Sequence, residues 1–406
     1  LKAVMAETCF DLPEEVFVEI FSWLPLESLM QFKCVCKSWY ALINILVKNP
    51  TFVNKQIYNI DKENLSPKCL VFCCPGTVYW RHPELESLRQ RLFETIMIFH
   101  DGTESGNVNS DKEVFRLPTL PSELRLTHAL RSHCNGIICL AFHQTVILCN
   151  PAINEWRTLP EPCLTHKNAG FWVRGVGFGY DSRANDYKIV RFGHDMLCRG
   201  RVKYFKTRAE VYSMRRDSWS EIQIQFEFDR LRFNCSPSVG KEVFCRGVFY
   251  WSIRSINRSI ISFDVFDDVF RSIPLPDNLL VVRENHFTKL AVWNESIALF
   301  FYKQEKAGTD SIEVWVMDCD CSAGSKGYCS WIKKLIIRPT VDIAYPLAFL
   351  KHDEVLIKAN AGTFVLYNLH SHMVRNLMFT ENTYPSWDFS YVKSLLSVQG
   401  GHQSCS

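Results

Sequence analysis

The chain has 406 residues, 47% of them hydrophobic and 22% charged, with a formal net charge of +3. That length holds two or three average domains, or one small and one large, and that composition excludes wholesale disorder. So mild a positive charge gives no ground for bulk nucleic-acid binding. No apolar run reaches the roughly 18 residues a bilayer-spanning helix needs, so no membrane association is expected.

Residues 1–20 lack the basic-then-apolar layout of a secretory leader, and Met5 is expected as the natural start. Seventeen cysteines are scattered through apolar runs, as at Cys34, Cys139, Cys149 and Cys245. They read as buried hydrophobes of a reducing compartment, not as a disulfide framework. The Asn-x-Ser triplets at Asn64, Asn234, Asn257 and Asn294 then carry no sugar.

Residues 11–53 predict three short amphipathic helices. Pro13 pre-sets φ at a first helical position, and Glu14 and Glu15 suit a helix N-terminus. Val16, Phe17, Ile20, Phe21 and Leu24 form a broad apolar face. Leu24-Pro25 ends that helix, because a residue before proline avoids the α region. Leu26, Leu29, Met30, Phe32 and Val35 make a second face; Trp39, Tyr40, Leu42, Ile43 and Leu46 make a third, closed by Pro50-x-Phe52. Three helices in about 40 residues carry too much apolar surface for the core they enclose. They need another protein or the rest of their own chain.

The motifs Leu12-Pro13-x-Glu15, Leu24-Pro25, Ser28-Leu29, Phe32-Lys33-x-Val35, Lys37-x-Trp39, Leu42-Ile43 and Pro50-x-Phe52 occur in order. This run resembles the F-box, the module that docks on the Skp-type adaptor of cullin-RING ubiquitin ligases. The resemblance implies an adaptor-docking and F-box-supporting set of Leu12, Pro13, Val16, Ile20, Leu24, Pro25, Leu29, Phe32, Val35 and Trp39. The sequence does not divide those that dock from those that knit the helices together.

The expected organisation is an F-box over 8–55, a junction over 56–112, a β domain over 113–395 and a tail over 396–406. Within the junction, Lys68–Cys74 reads as a strand and 84–98 as a charged helix. From about 113, short runs rich in Val, Ile, Phe, Tyr and Trp alternate with Gly, Pro, Asn and Asp turns, which favours an all-β barrel, sandwich or propeller. A loose repeat closes on Trp156, Trp219, Phe270, Trp331 and residues near 374, at blade-sized steps of roughly 45–60 residues. The expected fold is therefore a small α-helical module followed by an irregular β-propeller, with a pair of packed antiparallel sheets as the competing architecture.

Several motifs could carry chemistry. Gly175-x-Gly177-x-Gly179 imitates a dinucleotide fingerprint, but a turn and a strand follow it where that motif needs a helix. These glycines are read as strand packing. Asp318-Cys319-Asp320-Cys321 has no Cys-x-x-Cys partner and is read as a loop. No hydrolase, protease or Walker motif is present, so neither catalysis nor a cofactor is expected; a propeller enzyme is the alternative class. The segment 191–208 interleaves Lys and Arg with Phe192, Tyr204 and Phe205. It is read as a charged loop, with partner contact and nucleic-acid binding as competing uses.

The carboxyl region resembles the kelch-like F-box-associated domain of plant F-box proteins, through His133–Ile138, Asn150-Pro151 to Trp156, Gly175–Asp181 to Asp186–Val190, Ile312–Met317 to Trp331, and Pro346–Phe349. Order and spacing over 110–395 are most similar to the S-locus F-box proteins of self-incompatible plants. The resemblance implies a non-catalytic receptor, linked through the adaptor to cullin, RING protein and ubiquitin-conjugating enzyme. It implies a pistil S-RNase as target, in pollen-tube cytosol, with a different target such as an immune receptor or metabolic enzyme, and the nucleus, as alternatives. Arg199, Arg201 and Lys203 are expected to meet acidic groups of the target, and Glu313, Asp318 and Asp320 basic ones.

Overall fold

The structure, a computed structural model, describes residues 13–62, 68–73, 92–98, 110–116, 130–142, 144–164, 171–199, 202–224, 242–253, 259–279, 286–303, 311–318, 329–338, 343–351, 353–359, 363–380 and 387–399. Helices α1 (Glu14–Phe21), α2 (Leu26–Phe32) and α3 (Lys37–Leu46) follow the expected spacing, with Pro13 and Pro25 at the entries of the first two. Pro50 does not close the module. It opens α4 (Pro50–Lys62), since proline suits a first helical turn whose amide has no acceptor anyway. Phe52, Val53, Gln56, Asn59 and Ile60 make the buried face of α4. Gln56 donates to the Leu24 carbonyl at 2.6 Å and Asn59 to Ser22 Oγ at 2.9 Å, so α4 satisfies polar groups where α1 ends.

Six four-stranded antiparallel sheets make up the rest of the described chain. Five are continuous in sequence. The first comprises β4 (Leu130–Cys134), β5 (Ile137–Ala141), β6 (Val146–Asn150) and β7 (Glu155–Thr158). The second comprises β8 (Phe171–Asp181), β9 (Asp186–Arg199), β10 (Val202–Ser213) and β11 (Ser218–Ile222). The third holds β12 (Glu242–Cys245), β13 (Val248–Ile253), β14 (Ser259–Asp264) and β15 (Val269–Pro274). The fourth holds β16 (His286–Trp293), β17 (Ser296–Lys303), β18 (Ile312–Asp318) and β19 (Ser330–Ile337), and the fifth β20 (Ile343–Lys351), β21 (Glu354–Ala359), β22 (Thr363–Asn368) and β23 (Val374–Thr380). The remaining sheet joins the two ends of the β region: β24 (Trp387–Tyr391) pairs antiparallel with β1 (Lys68–Cys73), followed outward by β2 (Leu92–Ile98) and β3 (Ser110–Arg116).

Two expectations change here. The stretch 56–112, expected as a junction, supplies the end of α4 and three strands of that closing sheet. Residues 92–98, expected as the end of a charged helix, form a strand, because LFETIMI offers β-propensity to neighbours on both sides. The rest of the expected helix, 84–91, lies outside the described residues. First strands pack on first strands in order, β4 on β8, β8 on β12, β12 on β16 and β16 on β20. That is propeller order, not two facing sheets.

The expected closing residues Trp156, Trp219, Phe270, Trp331 and Val374 all fall in outermost strands. In four blades each follows by two positions a left-handed turn residue: Asn154, Asp217, Asp268 and His372. Gly177 and Gly179 lie on β8 against the Phe249 ring, where an added Cβ would come within 2.9 Å or less. They permit blade-to-blade approach, as expected.

Two polar devices hold neighbouring parts together. Lys188 lies between Asp181 Oδ2 at 3.0 Å and Asp268 Oδ1 at 2.9 Å, and donates to the Val265 carbonyl at 2.8 Å, tying the second blade to the third. Burial opposes ionisation of Asp181, but the Ala184 amide and Lys188 outweigh it and hold the carboxyl below its ordinary value. Beyond β24, residues 392–399 form a strap across the first blade. Buried Asn150 donates to the Ser394 carbonyl at 3.0 Å and the Leu396 carbonyl at 2.9 Å, and its Oδ1 accepts from Ala152 N at 3.0 Å. Leu396 and Val398, expected in a tail, are core residues.

Asn150→Ala strands two buried carbonyls and one amide, and is expected to cost about 2–4 kcal/mol. It should lower the urea midpoint at unchanged slope. Asp181 contributes stability that is complete above about pH 4, the ordinary carboxylate value, and is lost as pH falls through its lower folded value. Asp181→Asn should therefore flatten the acid limb of a stability-versus-pH curve.

Candidate functional site

The helical module is not a separate bead. Phe17, Phe21, Leu29, Leu42, Ile43, Leu46, Phe52 and Val53 share one apolar core with Ile137, Cys139, Val176, Phe178, Tyr187, Leu396 and Val398. Thr51 Oγ1 lies 3.0 Å from the Tyr180 hydroxyl, and Asn135 Nδ2 donates to Asn54 Oδ1 at 3.0 Å. These contacts are at the turns joining first to second strands, where Asn135-Gly136 adopts positive φ at both positions, as a two-residue hairpin demands.

The structure divides the expected docking set in two. Leu29 is fully buried, and the Trp39 ring packs within 6 Å of Phe17, Phe21 and Phe32. Leu24, Pro25 and Phe32 are half-buried. These residues hold the helices together. Pro13 is exposed, and Val16, Ile20 and Val35 expose 38%, 46% and 59% of their surface. Leu12 lies outside the described residues. Sequence reasoning missed Trp23, Met30, Tyr40 and Ile45, which are also exposed. The signal was available on α1 and the turn after it: Val16, Ile20 and Trp23 recur at i, i+4 and i+7 beside the Phe17–Phe21 stripe, a second apolar face. Exposed apolar residues gathered on one small helical unit mark a protein-docking surface.

The β residues expected to read a target do not form one surface. Strands alternate in direction, so the connections after first and third strands leave from the helical end and those after second and fourth from the opposite end. Arg199 and Lys203 sit on paired backbone, opposite Val202 and Cys198. The segment read as a loop is a hairpin that continues past the start of β8, and its connection, 200–201, holds Arg201 outside the described residues. Asp318 ends β18, so the connection toward Asp320, also outside the described residues, leaves from the helical end. Arg199 and Lys203 are thus at the opposite end of the propeller from Asp318, whereas Glu313, second residue of β18, lies toward the remote end. Glu313 is engaged within its own sheet, accepting from Trp315 Nε1 at 3.0 Å and Lys333 Nζ at 2.6 Å. The connections 117–129, 159–170, 223–241 and 275–285 all leave from the end remote from the helices.

Buried polar groups of the second blade are structural. Arg191 and Glu210, both without exposed side-chain surface, pair at 2.7 Å, and Arg191 also donates to the Phe142 carbonyl at 3.1 Å. Burial pushes the Glu210 carboxyl up against the opposing pull of Arg191. The thiols of Cys134 and Cys149 are pushed up to about 12 by burial, which leaves them inert. No cluster of three or more metal-ligating side chains occurs among the described residues. Cys319 and Cys321 lie outside them.

Residues 89–398 match the model of the F-box associated beta propeller domain, and residues 9–52 match an F-box-like model. Similar chains of Arabidopsis thaliana include an F-box protein, 24% identical over 75% of this chain and 69% of its own length. An F-box/kelch-repeat protein is 26% identical over 75% and 71%, and an F-box/LRR-repeat/kelch-repeat protein 22% identical over 96% and 98%. Among solved structures, an oligogalacturonate lyase in complex with manganese superposes with a TM-score of 0.41 and 7% identity over 73% of this chain and 76% of that one, a likeness too loose to bear on function.

Truncations separate the two roles on the helices. Leu29→Ala should cost about 2–5 kcal/mol through the cavity it leaves. Val16→Ala and Ile20→Ala, at exposed positions, should each change stability by about 0.5 kcal/mol or less. Urea denaturation of the three variants measures the split.

Proposed function

Because the chain belongs to the family of F-box proteins that carry an F-box associated β-propeller domain, we propose that it is the substrate-recognition subunit of a Skp–cullin–F-box ubiquitin ligase. The observation that carries this reading is the exposed apolar set Val16, Ile20 and Val35 on helices whose other faces are already buried in the chain's own core. A Skp-type adaptor would cover that set. The propeller would hold a protein target at the end remote from the helices, where the longer connections leave. The receptor makes and breaks no bond. It raises the effective concentration of a target lysine near the ubiquitin-charged conjugating enzyme, and acceleration comes from proximity.

The finer reading, supported by the order and spacing of the β motifs, is that the target is a non-self S-RNase marked for degradation in pollen-tube cytosol. Such ribonucleases are basic, and complementarity asks for an acidic receptor face. The described chain offers weak support for one: Glu313 is neutralised by Lys333 and Asp318 ends at the helical end. That observation favours the second reading, the same ligase role with a different protein target. Capture of targets from pollen cytosol, identified by mass spectrometry, separates the two.

Docking itself is tested by charge. Val16→Asp with Ile20→Asp should weaken capture of a Skp-type adaptor by more than tenfold, since central apolar interface residues commonly carry over 1 kcal/mol each. The melting temperature should stay within a few degrees. Adaptor capture at the wild-type level would remove these residues from the interface.

A further inference from the structure

Cys34 and Cys36 are both exposed, in the turn between α2 and α3, and they flank Val35. Among the other described thiols Cys245 and Cys329 are half-buried, and Cys163, though exposed, donates to the Trp219 carbonyl at 3.4 Å. Cys134, Cys139 and Cys149 are buried, and burial raises the thiols of Cys163 and Cys245 as well. Thiolate chemistry needs access and an environment that tolerates negative charge. The turn supplies the access, and Lys33 and Lys37 flank the pair in sequence. Cys36 is also the N-cap of the ten-residue α3: its Sγ accepts from Trp39 N at 3.5 Å. Trp39 carries that contact into the aromatic cluster of Phe17, Phe21 and Phe32. A group attached to either sulfur would stand beside Val35, the most exposed apolar side chain of the α1–α3 segment at 59%, and on Cys36 it would also disturb the cap.

We propose that the Cys34–Cys36 pair is a thiol-modification site that switches adaptor docking off, through mixed disulfides with an anionic low-molecular-weight disulfide such as oxidised glutathione. The proposal rests on the docking role assigned above to Val35 and its neighbours. In the forward step a cysteine thiolate attacks one sulfur of oxidised glutathione. The new protein–glutathione S–S bond forms, the original S–S bond breaks, and one glutathione leaves as thiolate, so no further oxidant is consumed. The adduct adds bulk and net negative charge beside an apolar surface that must be desolvated to dock. An excess of a small thiol runs the same exchange backwards and restores the bare surface.

The test uses the full chain and a purified Skp-type adaptor. Adaptor affinity is measured for reduced protein, for protein treated with oxidised glutathione, and for treated protein returned to dithiothreitol, with peptide mapping to locate adducts. The expected result is an adduct at Cys34 or Cys36, a loss of affinity of tenfold or more, and full recovery on reduction. Cys34→Ser with Cys36→Ser should bind when reduced, because serine is itself a good N-cap, and should keep its affinity under oxidised glutathione. Wild-type protein carrying the adduct with unchanged affinity would overturn the proposal. So would absence of adduct at both sulfurs, or an equal loss of affinity in the double serine variant. If that variant fails to fold, Cys34→Ser alone, which leaves the cap intact, is mapped in its place: loss of affinity should track adduct on Cys36, and adduct there with unchanged affinity, or loss without it, overturns the proposal. Failure of reduced wild-type protein to bind adaptor at all is a different result, and it removes the docking reading itself.

Discussion

A four-stranded blade has two apolar faces and cannot bury either alone, so each blade depends on a neighbour on both sides. A row of blades always leaves two faces bare; only a ring leaves none. Pairing of β24 with β1 makes the ring, because it puts the last strand and the first three into one sheet. The other packing relations follow from it. β24 delivers residues 392–399 to the first blade, Asn150 ties them down, and Leu396 and Val398 complete the core that also receives the helices.

Strand alternation then assigns the two ends of the ring to different tasks. At the helical end the first-to-second turns Asn135-Gly136, Arg246-Gly247 and Asn294-Glu295 all adopt the paired positive φ of two-residue hairpins, beside the longer third-to-fourth connection 319–329. A surface of tight turns is rigid and close-fitting, suited to hold helices whose position relative to a ligase must be fixed. At the other end longer segments connect the strands, and length there costs little stability. One end can stay constant while the other varies. This is the division a receptor needs when one partner is common to many receptors and the other is its own.

The parts of this design that repeat were readable in the sequence. Trp156, Trp219, Phe270, Trp331 and Val374 marked the loose repeat, without fixing a blade count, because each begins or lies in an outermost strand, and four follow a turn residue in the left-handed region. The closing sheet was not readable as a blade. Its strands come from residues 68–116 and 387–391, so no local repeat marks it, and its connections made it look like a junction. Helix boundaries were legible from Pro13 and Pro25. The distinction between Leu29, buried, and Ile20, exposed, was not, because both are apolar at helical spacing and only the tertiary context decides. Arg199 and Asp318 looked like two halves of one charged surface because sequence distance carries no sign of which end of a sheet a connection leaves from.

Ring closure by the last strand also sets a timetable. At a synthesis rate of roughly 5–20 residues per second, the interval between β1 and β24 leaving the ribosome is on the order of twenty seconds to a minute. Throughout it, β1 has one edge without its partner, and an unpaired strand edge is an invitation to wrong pairing. The α1–α3 segment has emerged before that interval begins. A nascent or prematurely terminated chain therefore displays the adaptor-facing helices before any closed reading surface exists. Such fragments would occupy adaptors without delivering a target, so a working receptor depends on the chain being made through β24.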